Sequence, residues 1–372
     1  MKRREFLTGV ATGTAATALV GCEGPQPRKA APSTGEAPAV HTGKHVQWRC
    51  TSSFPRSLDT LYGGAEVVAE RVSAMTDGAF QIKVYPAGEL VPGLQVLDAV
   101  QQGTVQLGQT ASYYYIGKNP ALAFDCCVPF GLTSRQVTAW LEEGGGRELV
   151  DELFSDFNVK TFIAGNTGVQ MGGWFKREVG PVDELAGLKM RIPGMGGKVM
   201  AELGVAVQNI AGGEIYQALE TGAIDATEWV GPYDDEKLGF HKAASFYYYP
   251  GWWEPGPSLS FYVNQQAWGT LSKAYQEVFA SACRESALVM QARYDARNPP
   301  ALQRLLAAGV QMRPFHASIL KQAKEAAEQI YADAAAADPA YAKVFASFDK
   351  ARKEAARWFG TAESAYLQAT LG

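Results

Sequence analysis

The chain has 372 residues, 47% of them hydrophobic and 19% charged, with a formal net charge of −4. This is the balance of a compact water-soluble protein. It is not basic enough for nucleic acid, no run of Lys or Arg suits a lipid surface, and its five cysteines show no C-x-x-C or zinc spacing.

Met1 to Thr8 reads M-K-R-R-E-F-L-T, and a weakly apolar stretch of Gly, Ala, Thr and Val runs on to Leu19-Val20-Gly21-Cys22. A basic start, a short apolar middle and a small-residue exit predict a secretory signal over residues 1–21, and Arg3-Arg4 points to the twin-arginine route. The stretch is too short and too rich in Gly and Thr to span a bilayer stably. Leu19-Val20-Gly21-Cys22 has the form of a lipobox, which makes Cys22 a lipidated mature N-terminus. The alternative is an ordinary cleaved signal with an incidental cysteine. Loss of 1–21 removes three positive charges and one negative, leaving a mature chain of about −6. Residues 22–45 hold Pro25, Pro27, Pro32 and Pro38 among small residues, a composition that reads as a semi-rigid tether.

The body opens with Val46-Gln47-Trp48-Arg49-Cys50-Thr51, an alternating strand. Leu61, Ala65, Val68, Val72 and Met75 recur at helical steps up to Gly78, and Phe80, Ile82 and Val84 alternate as a second strand. A second helix carries Leu94, Leu97 and Val100 to Gly103, and Val105–Thr110 resumes a strand. This alternation predicts a parallel sheet with covering helices. The segment 97–106 recurs in form at 216–225: a helix end, a glycine suited to a left-handed cap, and a strand expected one or two residues later. Two α/β lobes built on related plans follow from it. Residues 272–298 and 317–368 are rich in Ala, Glu, Lys and Gln at helical spacing, predicting long helices interrupted at Pro299-Pro300, Pro314 and Pro339. Cys50, Cys126, Cys127 and Cys283 read as small buried hydrophobes; one disulfide stays open as an alternative, although adjacent Cys126 and Cys127 would pair only under strain.

Two later segments are specific. Val182-Asp183-Glu184-Leu185-Ala186-Gly187-Leu188-Lys189-Met190-Arg191 resembles the "leucine, glycine, leucine-lysine, x, arginine" segment of TRAP (tripartite ATP-independent periplasmic) solute-binding proteins. Tyr216-Gln217-Ala218-Leu219-Glu220-Thr221-Gly222-Ala223-Ile224-Asp225 resembles that family's Y-x-A-L-x-T-G-x-x-D segment, in the matching order and at the matching separation. The resemblance implies a periplasmic receptor, not an enzyme. Its fold would be α/β, two-lobed and periplasmic-binding-protein-like, with a hinge, a cleft, long C-terminal helices and one long helix crossing both lobes. Lobe I is expected from 46–168 with about 257–296, lobe II from about 169–256 with 297–340, and a C-terminal helix from 341–372. The implied partners are a small organic acid, the membrane permease subunits of a TRAP transporter, and a second copy in a homodimer formed through the C-terminal helices.

Gln170, Glu228-Trp229 and Trp252-Trp253-Glu254 are similar to the branch of the family that binds 2-oxo or 2-hydroxy monocarboxylates together with a cation. Arg191 follows an apolar strand-like run and precedes Pro193-Gly194, so it should face a cleft, where a guanidinium offers a carboxylate two parallel donors. Glu228 and Glu254, flanked by tryptophans, are half-buried carboxylates that need partners. Structural salt bridges would supply them. The resemblance implies instead Na⁺ or Ca²⁺ held by Glu228, Glu254, the Gln170 amide oxygen and a carbonyl near Trp229, with Tyr114, Gln170, Arg191 and Trp229 on the substrate. Two carboxylates and a ligand carboxylate against one arginine leave about −2 in a dry cleft, which a cation would offset. Ligands that are all oxygen suit a hard cation. Within Tyr113-Tyr114-Tyr115, strand alternation would put 113 and 115 on the face opposite Tyr114. Gly194-Met195-Gly196-Gly197-Lys198 fits neither phosphate-loop pattern and reads as close backbone approach at a helix start. The competing reading is a periplasmic metal-dependent, lyase-like enzyme acting on a 2-oxo acid. Against it, only His241 and His316 lie beyond the tether, and no nucleophile elbow is apparent.

Overall fold

A computed structural model describes residues 39–40 and 43–371; the signal, Cys22 and the tether up to Pro38 lie outside the described residues. The first run of elements is β1 (Val46–Ser52), α1 (Leu61–Met75), β2 (Phe80–Tyr85), α2 (Val96–Gln101), β3 (Leu107–Thr110), α3 (Ser134–Glu143), α4 (Gly146–Ser155) and β4 (Val159–Asn166). A second run follows: β5 (Trp174–Phe175), β6 (Lys189–Arg191), α5 (Gly194–Glu202), β7 (Ala206–Gln208), α6 (Ile215–Thr221), β8 (Ala226–Thr227), α7 (Pro232–Leu238) and β9 (Phe246–Tyr249). The chain then returns as β10 (Ser258–Asn264) and α8 (Gln265–Gly269). It ends with α9 (Lys273–Ala307), β11 (Gln311–Pro314), α10 (Ala317–Ala337), α11 (Pro339–Phe359) and α12 (Ala365–Leu371).

Each run closes on its own sheet, ordered β2-β1-β3-β10-β4 in the first lobe and β11-β9-β5-β8-β6-β7 in the second. β1 is parallel to β2 and β3, but β10 inserts antiparallel between β3 and β4, so the sheet is mixed, not parallel. The reason is connectivity: β10 comes back from the second lobe and so runs against its neighbours. The half-repeat holds in both lobes. Gly103 and Gly222 adopt left-handed backbone (φ 73° and 80°), a conformation in which any Cβ is strained. The strands begin later than predicted, at Leu107 and Ala226, because each chain first tucks a buried residue, Val105 or Ile224, into the core.

The helix α9 is continuous over 35 residues and passes through Pro299 and Pro300, where a break was predicted. Two missing N–H groups normally end a helix. Here contacts to α7 hold both sides of the pair, with Arg304 beyond it bonded to Glu236 at 2.6 Å and two residues before it also engaged. Tyr294 Oη donates to Asp234 at 2.6 Å, and Asn298 Oδ1 accepts from the Tyr233 amide at 3.0 Å. The first part of α9 packs on α1 and β4 and the rest on α7, so the helix crosses both lobes. α1 buries Leu61, Ala65, Val68 and Val72, with Leu61 and the two valines each contributing about 1.5–3 kcal/mol. α10 packs on α5. After Asp338, which caps α11 by accepting from the Ala340 amide, α11 returns to the first lobe and sets Tyr341, Phe345 and Phe348 around Phe124. Cys50, Cys126, Cys127 and Cys283 are buried free thiols.

Outside α9 the chain passes between the sheets twice, at 167–173 and at 250–257. These crossovers are bonded to each other: the Thr167 amide donates to Pro257 O at 3.1 Å, Gln170 N to Glu254 O at 3.2 Å, and Gly251 N to Gln170 O at 3.0 Å.

Candidate functional site

Arg191 closes β6, and Glu228-Trp229 follows the neighbouring parallel strand β8. The register Arg191↔Thr227 therefore sets the guanidinium beside Glu228. Both side chains are sealed, Arg191 being 1% and Glu228 0% exposed. Arg191 Nη1 pairs with Glu228 Oε1 and also donates to Glu228 O at 3.3 Å; Nε donates to Ile210 O at 3.0 Å. The guanidinium lies 5.1 Å from the Trp229 ring centroid. Arg191 Nη2 and Glu228 Oε2 are buried with no partner. Burial pushes Glu228 up to about 7, with Arg191 pulling the other way and the Asp235 charge adding to the rise.

The other members come from the crossovers and from the end of β3. Gln170 donates through Nε2 to Thr167 Oγ1 at 3.2 Å, which leaves its amide oxygen buried and unpartnered. Glu254 receives a hydrogen bond from Tyr113 Oη at 3.4 Å. Burial first, and then the charge on Glu228, hold its carboxyl well above the ordinary range. Ser112–Tyr115 is a 3₁₀ turn, not a strand, so alternation does not sort the three tyrosines. Tyr113 reaches Glu254, Tyr115 Oη is bonded to Thr110 Oγ1 at 2.8 Å, and Tyr114 borders a narrow cavity. That cavity is walled by Phe54, Leu61 and Tyr113 from the first lobe and by Trp229 and Val230 from the second, with Gln170 between them. Larger surface grooves between α5 and α10 and between α3 and α9 contain none of these residues.

The site residues read from the sequence thus gather in one place: Tyr114, Gln170, Arg191, Glu228, Trp229 and Glu254. The two glutamates, alike in the sequence reading, differ here, since Glu228 is ion-paired and Glu254 is not. Three contributors were not assigned to the site from the sequence, Tyr113 because strand alternation placed it on the opposite face, and Thr167 and Asp235 because nothing local marks them. Tyr113 and Thr167 touch site residues directly. Asp235 accepts from the Val230 and Gly231 amides at 3.3 and 3.1 Å, and from Trp174 Nε1 and Tyr247 Oη at 2.9 and 2.7 Å, fixing the loop behind Glu228-Trp229. An acid just after Pro232 reads simply as a helix first turn, and nothing local tells that it points inward. The glycine cluster is a close approach: a Cβ on Gly196 would lie 2.8 Å from Trp253 Cβ, and one on Gly194 2.9 Å from Tyr113 Cβ. His316 caps α10 by accepting from the Ser318 amide at 3.2 Å, and His241 does not line the cavity.

A buried polar atom without a partner costs about 1–3 kcal/mol. Glu228 Oε2 and Gln170 Oε1, with the Glu254 carboxyl, are buried oxygens of the kind a hard cation takes, while Arg191 Nη2 is a donor of the kind an anion takes. Among the described residues no group of three or more His, Cys, Asp or Glu could hold a metal ion. A cation here would rest on two carboxylates and neutral oxygens.

Residues 51–338 match the family described as bacterial extracellular solute-binding protein, family 7. The chain belongs to this family. It is 53% identical over 367 residues, 98% of either chain, to a monocarboxylate 2-oxoacid-binding periplasmic protein of Nostoc sp.. A TRAP transporter solute-binding protein from Bordetella bronchiseptica, a mixed-occupancy dimer with copurified calcium and picolinate in one active site and the other apo, is similar in structure. It has a TM-score of 0.87 at 45% identity, covering 88% of this chain and 98% of that one. A TRAP periplasmic solute-binding protein from Pseudoalteromonas atlantica with bound sodium and pyruvate gives 0.85 at 37% identity, covering 87% and 99%. Family 7 chains are periplasmic receptors, which sets aside the lyase-like reading.

Proposed function

We propose that this chain is the extracytoplasmic receptor of a TRAP transporter that captures a small 2-oxo or 2-hydroxy monocarboxylate together with Na⁺ or Ca²⁺ and delivers it to the membrane permease. One observation carries the reading: Arg191 Nη2, Glu228 Oε2 and Gln170 Oε1 are buried without partners, and Gln170 and Trp229, the neighbour of Glu228, line the interlobe cavity. Glu228, Glu254, the Gln170 amide oxygen and the Trp229 carbonyl are assigned to the cation, and Arg191, Tyr114, Gln170 and Trp229 to the acid. A bound hard cation would offset the carboxylates and chelate the acid's carboxylate with its 2-oxygen. Pyruvate and picolinate, the ligands of the similar structures, both carry a second donor atom beside the carboxylate. The lobes, divided as 46–168 with 257–296 and 169–256 with 297–340, would part and close about the two crossovers.

Calorimetric titration of pyruvate into metal-stripped protein, with and without CaCl₂ or NaCl, tests this. Binding should need the cation, and propionate, lacking the 2-oxygen, should bind poorly. Arg191→Lys loses the free Nη2 donor and the pairing that fixes it, and should weaken binding more than tenfold, about 1.5–3 kcal/mol. Full-strength binding to stripped protein would sink the assignment.

At the N-terminus, residues 1–21 are assigned as a twin-arginine signal and Cys22 as a lipid anchor. The intact mass of the membrane fraction should shift by the lipid and lose it in Cys22→Ser. At the other end Trp358, Tyr366 and Leu371 are 63%, 67% and 81% exposed. Exposed apolar side chains at the end of α11 and along α12 support a homodimer through the C-terminal helices. Light scattering should find a dimer of the mature chain and a monomer after truncation at Phe359.

A further inference from the structure

We infer that Asp59 is a latch across the mouth of the cleft that sets how long the lobes stay shut on a ligand; the inference builds on the cleft as the ligand site. Asp59 lies between Phe54 and Leu61, which wall the cavity from the first lobe. Facing it is α7, which starts just after Trp229 and Val230, the second lobe's wall. The Asp59 carboxylate accepts from Tyr233 Oη at 3.0 and 3.2 Å, pairs with Lys237 Nζ, and takes Arg297 Nη1 at 3.0 Å. Arg297 Nη1 also donates to Tyr233 Oη at 3.0 Å, and the Lys237 and Arg297 cations lie 4.4 and 5.1 Å from the Tyr233 ring.

The two sides are unequal. The receiving side is built beforehand, because the Tyr233 amide is held by Asn298 Oδ1 and Tyr294 Oη anchors the neighbouring Asp234. The first lobe supplies a single carboxylate. Among the described residues, every other exposed ion pair stays within one lobe or involves the C-terminal helices. Parting the lobes would break the Lys237, Tyr233 and Arg297 contacts of Asp59 together and leave Lys237 and Arg297 facing one another. Asp59 is about half exposed, at 48%, so the latch is weak enough to open and is screened by salt. Apparent affinity scales with the closed fraction, so a contact made only on closure acts on ligand retention without touching ligand.

The test measures pyruvate release by stopped flow at fixed CaCl₂, with ionic strength raised by choline chloride, alongside small-angle scattering of the pyruvate-free protein. Asp59→Asn should weaken pyruvate binding about three- to tenfold, mainly by faster release. It should also abolish the acceleration of release by choline chloride that the wild type shows, and enlarge the radius of gyration without pyruvate. Lys237→Met should do the same, and the double variant should be no worse than either single one. Asp98→Asn, which breaks a pair with Lys118 inside the first lobe, should change nothing. Equal release rates and equal scattering for wild type and Asp59→Asn would overturn the latch. A wild type that takes up no pyruvate at all refutes the ligand reading instead. The latch then stands or falls on the scattering difference alone.

Discussion

Glu228 and Glu254 are both carboxylates closed off from water, yet Arg191 separates their behaviour. Glu228→Gln leaves a guanidinium buried without its counter-charge, so it should destabilise the protein by about 3 kcal/mol. Glu254→Gln replaces a carboxyl that burial already favours in its protonated form. It should melt within about 1 kcal/mol of the wild type and still lose cation binding. Thermal melts paired with calcium titrations distinguish the two; equal destabilisation would contradict the ion-pair assignment. The same burial fixes the sign of the pH dependence. Both folded carboxyls hold their proton above the usual range, Glu228 up to about 7, and a cation must displace it. Calcium affinity should therefore be weakest below pH 6 and rise through pH 7 to 8, by up to about tenfold per unit for each proton released. Calorimetry in buffers of different ionisation enthalpy counts those protons, and a count of zero would refute the scheme.

At the scale of elements, the site depends on α5 starting unusually close to its neighbours. Gly196 lies against Trp253, whose chain neighbour is Glu254, and Gly197 against Ile192 O, where a Cβ would come within 2.6 Å. Gly196→Ala should displace Trp253, destabilise by about 1–3 kcal/mol, and lower calcium affinity along with stability. Urea unfolding and a calcium titration on the same sample check it. Unchanged affinity would uncouple the helix start from the cation residues. α9 teaches the converse lesson. Pro299-Pro300 would end an isolated helix, but Tyr294 and Asn298 before the pair and Arg304 after it, all bonded to α7, carry it through.

For the whole molecule, every assigned polar group lies where both lobes meet or at the crossovers between them, so admission and release of ligand require the lobes to separate. Ligand that binds only the closed, folded form stabilises it by mass action. Pyruvate and calcium at about a hundred times the dissociation constant should add about 2.7 kcal/mol, or roughly 5 °C for a protein of this size. EDTA should remove the gain even with pyruvate present, whereas a gain that survived EDTA would argue against joint binding. Differential scanning calorimetry decides between them.

Local pattern was enough for β1, α1 and β2, for the left-handed caps at Gly103 and Gly222, and for the burial of four thiols, because each follows from residue type and short-range spacing. The segments around Arg191 and Tyr216 carried the family, and with it the residues proposed for the cleft. What no local pattern holds is partnership. That β10 returns antiparallel, that α9 continues through two prolines, that Tyr113 and not Tyr114 meets Glu254, and that Arg191 takes Glu228 for itself were all decided in the tertiary structure. The physical reason is common to all four: burial strengthens or penalises a polar group according to what stands opposite it. The groups standing opposite here are brought together from distant parts of the chain by two sheets and the crossovers between them.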